Sequence, residues 1–169
     1  MAIEVAIKQA IEYETRICKL YWDAHLQTRD KTAKRIYKLM AEEEAGHVKY
    51  LEYKLGIWHK SGELSANGLK TALPPNDAIK AAADKLTRDS ERADSTRELG
   101  TLAKIYQAEQ ETNAFFHKLV EELPEEARDF FARFLEIENG HLALVGAEID
   151  AINGMGRWFD IDEYDLEAG

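Results

Sequence analysis

Two short segments of the chain carry the same chemistry. Glu44-Ala45-Gly46-His47 and Glu138-Asn139-Gly140-His141 each place a carboxylate three residues before an imidazole. Residues i and i+3 share a helix face, so an oxygen and a nitrogen from each pair can reach one metal ion. A single Glu-x-x-His is weak evidence in a chain with 32 acidic residues and five histidines. Here both pairs follow a lone carboxylate, Glu14 or Glu109, by 30 and 29 residues, and each is the only acid on a largely apolar stripe. That coincidence points to a divalent metal site built from two similar halves.

The stripes predict the elements that position these groups. Ile3, Ile7, Ala10, Glu14, Ile17, Tyr21 and Ala24 alternate by fours and threes, the seam of a bundle helix over about Ile3 to Leu26. A second helix, capped by Asp30 or Thr32, has the seam Ala33, Tyr37, Met40, Glu44, His47, Leu51 and Leu55. It ends near Gly56 or one turn later at Trp58. Ser95 and Glu98 form a capping box that opens a third helix, with the seam Leu102, Ile105, Glu109, Thr112, Phe116, Leu119 and Leu123. Pro124 suits the first position of a fourth, whose seam is Phe131, Phe134, Glu138, His141, Val145 and Ile152, with Gly154 and Gly156 ending it. Shifting the first helix by 95 residues superposes Glu14 on Glu109, and shifting the second by 94 superposes the two Glu-x-x-His pairs, so the second half repeats the first.

Short turns join the helices in pairs, whereas the second and third are separated by a long segment. It contains the polar run Ser61 to Gly68, then Pro74-Pro75-Asn76, then a short helix over Ala78 to Leu86. A helix of roughly 25 residues is ~38 Å long, and this segment is long enough to cross it. The expected fold is all-α: one four-helix bundle over residues 1–156 with a long crossover containing a short helix, then an acidic C-terminal tail over 157–169.

Composition narrows the function classes. The net charge of −10 leaves no electrostatic footprint for nucleic acid and no attraction to anionic lipid. No window approaches the ~18 uncharged apolar residues of a membrane span, and the lone Cys18 excludes an internal disulfide or a cysteine-based cluster. The sequence reads as that of a cytoplasmic protein. Polar residues on a core seam can also serve to fix register, or a carboxylate can stay protonated. Yet no Lys or Arg stands on these seams, and each unpaired buried carboxylate costs several kcal/mol. Two divalent cations would neutralise four of them. Glu12, Glu42, Glu43, Glu111 and Glu136 lie off the seams and read as solvated; His25, His59 and His117 read as surface groups or as groups that support the metal ligands from behind. Tyr21, two turns after Glu14, is either a hydrogen-bonding group within the site or a plain core aromatic; its counterpart Phe116 cannot donate.

Glu14, Glu44-x-x-His47, Glu109 and Glu138-x-x-His141 resemble the ligand set of the ferritin-like superfamily. Within it, Ala10-Ile11-Glu12-Tyr13-Glu14 and Ala41-Glu42-Glu43-Glu44-Ala45-Gly46-His47 resemble rubrerythrins, and the resemblance covers all four helices. It implies two iron ions, although manganese or zinc also suits these donors. Glu44 and Glu138 would bridge the ions. Glu14 with His47, and Glu109 with His141, would be terminal ligands, with the pairing of terminal ligands left open. The implied activity is reduction of hydrogen peroxide or O2. Two features depart from the rubrerythrin pattern. The chain lacks the cysteines of a rubredoxin domain, so electrons must come from a separate donor protein or from substrate Fe(II). Thr112 stands where rubrerythrins carry a seventh carboxylate, which leaves a six-ligand set more like that of bacterioferritin. A di-iron oxidoreductase, a ferroxidase or iron-handling protein, and a non-catalytic metal-stabilised bundle all remain open. A homodimer is expected, since Trp158 and Phe159 can pack on the bundle or on a second subunit.

Overall fold

Helix α1 spans Ile3–Gln27, α2 Lys31–Ser61, α3 Thr96–Glu122 and α4 Glu125–Met155 in a computed structural model that describes residues 2–75, 77–79, 96–155 and 158. The fold is an all-helical bundle, with no strand among the described residues. No described helix is long and apolar enough to cross a membrane. Helix α1 packs chiefly on α2, α3 on α4, and the two hairpins meet through α1 and α3.

The seams are buried as their period requires, but several element boundaries differ from the local signals. Asp30 is the cap of α2, its side chain accepting from the Ala33 N–H at 2.8 Å. The helix does not stop at Gly56 or Trp58. It runs to Ser61, and Gly62, in the left-handed region at φ 67°, closes it by donating to the Trp58 carbonyl. Leu55 and Trp58 pack on a core cluster together with Leu64 and Ala66, and such packing outweighs the ~1 kcal/mol cost of one helical glycine. Lys54, rather than Leu55, holds the strict repeat position. It is 5% exposed, bonds the Ser65 hydroxyl at 3.2 Å and lies over the Tyr50 ring. Pro124 precedes α4 instead of opening it, and its carbonyl accepts from the Ala127 and Arg128 N–H groups. Helix α4 continues through Gly154.

At the start of α3, Glu98 accepts from the Thr28 hydroxyl at 2.8 Å and from the Tyr37 hydroxyl at 3.3 Å. Its partner in the expected capping box, Ser95, lies outside the described residues, as do most of the expected helix over Ala78 to Leu86, Gly156, and the tail apart from Trp158. Residues 77–79 are helical, and Trp158 meets the Tyr37 ring edge-on at 5.3 Å.

These bonds show the course of the crossover. It leaves α2 beside Tyr50, whose hydroxyl donates to the Ser65 and Asn67 carbonyls. Leu69 joins the apolar cluster of Ala6, Leu51 and Leu123, whereas Leu73 and Ile79 join that of Ala24, Ala33 and Leu102. The described part of the segment therefore passes from one apolar cluster to the other, and α3 begins next to the α1–α2 turn. Between the two apolar clusters lies one polar layer: Glu14, Glu44, His47, Glu109, Thr112, Glu138 and His141, each at most 2% exposed.

Candidate metal centre

All four long helices contribute to this layer. Helix α2 supplies Glu44 and His47, and α4 supplies Glu138 and His141; one ligand atom from each of these four residues lies within 4.8 Å of the others. His47 Nδ1 is 3.2 Å from Glu44 Oε2 and 4.0 Å from Glu138 Oε1. His141 Nδ1 is 2.7 Å from Glu44 Oε1 and 3.6 Å from Glu138 Oε1. Both histidines thus direct Nδ1 to the same two carboxylates. Glu14 from α1 stands at the edge of this group, with Oε2 3.4 Å from His47 Nδ1. Glu109 from α3 accepts a short hydrogen bond from the buried Tyr21 hydroxyl. Of the two readings open for Tyr21, the hydrogen-bonding one is realised.

The electrostatics are those of a layer under strain from its own charge. Burial, reinforced by Glu138 and Glu44, pushes the Glu14 carboxyl well above its ordinary range. Burial likewise pushes Glu109 well up, with Glu44 and Glu138 adding to it and His141 opposing. Glu138 is pushed up to about 7 by burial, His141 pulling the other way. Burial works against ionising Glu44 too, but the His141 imidazolium outweighs it and holds this carboxyl well down. The converse holds for His141, where burial is overcome by Glu44 and Glu138 and the imidazole is held well up. Without a metal, the layer keeps one close ion pair and leaves its remaining carboxyls reluctant to ionise.

The donor set fits divalent metal. Both oxygens of Glu138, Glu14 Oε1 and Glu109 Oε2 are buried without a hydrogen-bond partner. Buried polar atoms are seldom left so, and cations held by carboxylate and imidazole would satisfy them. The mixed oxygen and nitrogen chemistry suits iron, manganese or zinc. Glu14, 3.4 Å from His47 Nδ1, brings a carboxylate from α1 to the edge of the group of four, whereas Glu109 from α3 is buried in the same layer beside Tyr21 and lies outside that group.

Placement of the remaining candidates is mostly as their seams imply. Glu12 and Glu42 are exposed, Glu111 pairs with Arg16 at 2.7 Å and Glu136 with Arg133. His59 pairs with Glu4 on the surface, His25 bonds the Lys34 carbonyl, and His117 is exposed. Glu43 is the correction. Its side chain is only 5% exposed, and its Oε1 lies 3.7 Å from His141 Nε2 and 4.0 Å from His47 Nε2. Burial raises its carboxyl, but His141, the Thr71 hydroxyl and the Ala72 N–H outweigh that and hold it below the ordinary range. The i, i+4 spacing from Glu43 to His47 was the available signal. Thr112 is fully buried in the layer, and its hydroxyl has no hydrogen-bond partner. One further buried carboxylate, Glu148, lies on α4 outside the layer.

A cleft of about 450 Å³ between α2 and the crossover reaches this layer, lined by Glu42, Glu43, Gly46, His47, Thr71 and Ala72 among others. Compared with known protein families, with curated proteins and with solved structures, the chain matches none.

Proposed function

We propose that the chain is a di-iron carboxylate protein of the ferritin-like, rubrerythrin-like kind, acting as an oxidoreductase toward hydrogen peroxide or O2. The observation that carries this reading is the buried Glu44, His47, Glu138 and His141 group, flanked by Glu14 and Glu109. Glu44 and Glu138 face both histidines and are suited to bridge two ions. Glu14 and His47, with Glu109 and His141, would complete the set. Bound iron would supply the one-electron chemistry. The chain's own part is to hold six donors in a dry layer, keep both imidazoles neutral and turned inward once metal is bound, and orient Glu109 through the Tyr21 hydroxyl. The cleft beside His47 offers a path for a small oxidant. Electrons for turnover come from a separate donor protein or from Fe(II) itself.

Thr112 favours a second reading, a ferroxidase or iron-handling protein in which Fe(II) is the substrate. A neutral hydroxyl occupies the layer one turn after Glu109, so no additional carboxylate is available there to exchange with a histidine when the redox state changes. Anaerobic Fe(II) loading followed by stopped-flow absorbance, with peroxide and O2 added separately, tests both. A fast reaction with either oxidant supports redox function, and the ratio of rates chooses between the readings. A loaded protein inert to both is a metal-stabilised bundle and not an oxidoreductase.

A further inference from the structure

The outer nitrogens of both histidines look toward the same carboxylate. Glu43 Oε1 lies 4.0 Å from His47 Nε2 and 3.7 Å from His141 Nε2, while the two imidazole rings lie parallel with their Nδ1 atoms toward Glu44 and Glu138. Glu43 belongs to α2, and its reach to His141 crosses to α4. The residue four before His141 is Ile137, which packs in an apolar cluster. On α4, therefore, no carboxylate occupies the place that Glu43 holds on α2.

The crossover fixes this carboxylate from the far side. Glu43 accepts from the Thr71 hydroxyl and, through Oε2, from the Ala72 N–H at 2.8 Å. Glu43 is therefore held by the segment that follows α2. A histidine that ligates through one nitrogen needs a partner at the other to set its tautomer and ring angle. Separations of 3.7 and 4.0 Å are longer than direct hydrogen bonds, so the pull on the rings is chiefly electrostatic and gains strength from burial.

We propose that Glu43 is a shared positioning residue: one carboxylate, clamped by Thr71 and Ala72 of the crossover, orients both His47 and His141 toward the metal layer. This inference rests on the reading of that layer as a two-metal site. It has a consequence that a carboxylate serving one histidine lacks. Loss of Glu43 weakens both metal-binding steps together.

The test is a Co(II) titration of the full chain, followed by calorimetry and by the visible bands of histidine-bound cobalt. Wild type is expected to take up two ions. Glu43→Gln should lower the affinity of both steps by ~10–100-fold, the range for outer partners of metal-ligating histidines, and shift the cobalt bands. Thr71→Val leaves the carboxylate in place but removes part of its clamp, and should weaken both steps in the same direction by a smaller factor. Glu12→Gln, at an exposed acid off the α1 seam, should match wild type. A Glu43→Gln protein that loads like wild type, or loses only one step, overturns the inference while the two-metal reading stands. Should Glu43→Gln not fold, Thr71→Val decides, and its unchanged titration overturns the inference. A wild type that takes up no Co(II) overturns both.

Discussion

The imidazole rings of His47 and His141 lie face to face, 5.5 Å between centroids and 8° from parallel. They come from equivalent positions of two helices 94 residues apart in sequence. Two rings so placed, each with Nδ1 against Glu44 and Glu138, define the centre of the layer and make the two carboxylates common property of both halves.

That sharing fixes the expected stoichiometry. Iron-loaded protein should contain about two ions per chain, as in other bundles with this donor pattern. Replacing Glu44 or Glu138 by Ala removes a group that faces both histidines and should reduce the content of both ions. Elemental analysis after desalting measures it. A loaded wild type with almost no metal would remove the proposed function.

A second expectation separates two acids one half-turn apart. Glu109 is fully buried and bonded to Tyr21, whereas Glu111 is exposed and pairs with Arg16. Glu109→Ala should weaken metal binding by at least ~10–100-fold, since a ligand should matter no less than an outer partner. Glu111→Ala should lose only a solvent-screened surface ion pair with Arg16, with metal affinity intact. Competition with a chromogenic chelator gives both numbers, and the reverse ranking would mean that α3 presents another face to the site.

The pH dependence follows from the sign of the shifts. Glu14, Glu109 and Glu138 have raised folded values, so each contributes stability that is present below the ordinary carboxyl value of 4.5 and is lost as pH rises through the folded value, about 7 for Glu138. His141, also raised, acts in the same sense above its ordinary 6.5. Glu44, lowered, acts in the opposite sense and only at more acidic pH. Metal-free protein should therefore lose stability between about pH 5 and 8, by on the order of 3 kcal/mol from Glu138 alone. Metal binding releases protons from the layer, so the stabilisation by metal should grow over the same interval. Thermal midpoints with and without metal at each pH give the increment. An increment that does not change with pH would exclude these carboxyls and imidazoles as the binding groups.

Thr112 sets the last expectation. Wild type should prefer peroxide over O2 by no more than about tenfold, equivalent to about 1.4 kcal/mol in barrier. Thr112→Glu adds a carboxylate one turn from Glu109 on the same face and should raise that preference. The unpartnered hydroxyl makes this substitution informative, because no hydrogen bond to a preceding carbonyl is lost. Comparison of the two stopped-flow rates decides it, and a wild type already selective for peroxide by several hundredfold would overturn the assignment of Thr112.

The helical seam alone turned Glu14, Glu44, His47, Glu109, Glu138 and His141 into the core, because a 3.6-residue period dictates which side chains share a face. Glu43 escaped it for a physical reason. A helix of this bundle has a second covered face, under the crossover, and only the path of Leu69 to Pro75 shows which residues it covers. The same limit explains Glu98. Its spacing from Ser95 suggests a local cap, but its carboxylate receives bonds from Thr28 and Tyr37, 70 and 61 residues earlier. Gly56 illustrates the other limit, a local preference overridden by the packing of Leu55 and Trp58. Boundaries and outer partners depend on distant chain; seams do not.

The division of the layer between two hairpins has a consequence for the order of folding. Each hairpin is closed by contacts local in sequence, which form quickly. Neither can complete the layer, since Glu14, Glu44 and His47 lie on one and Glu109, Glu138 and His141 on the other. Joining them closes the long loop between Ser61 and Thr96 and brings carboxylates together out of water, both of which slow a step. Docking of the two hairpins is therefore the expected slow step of folding, and the buried Glu and His layer is complete only once they have docked.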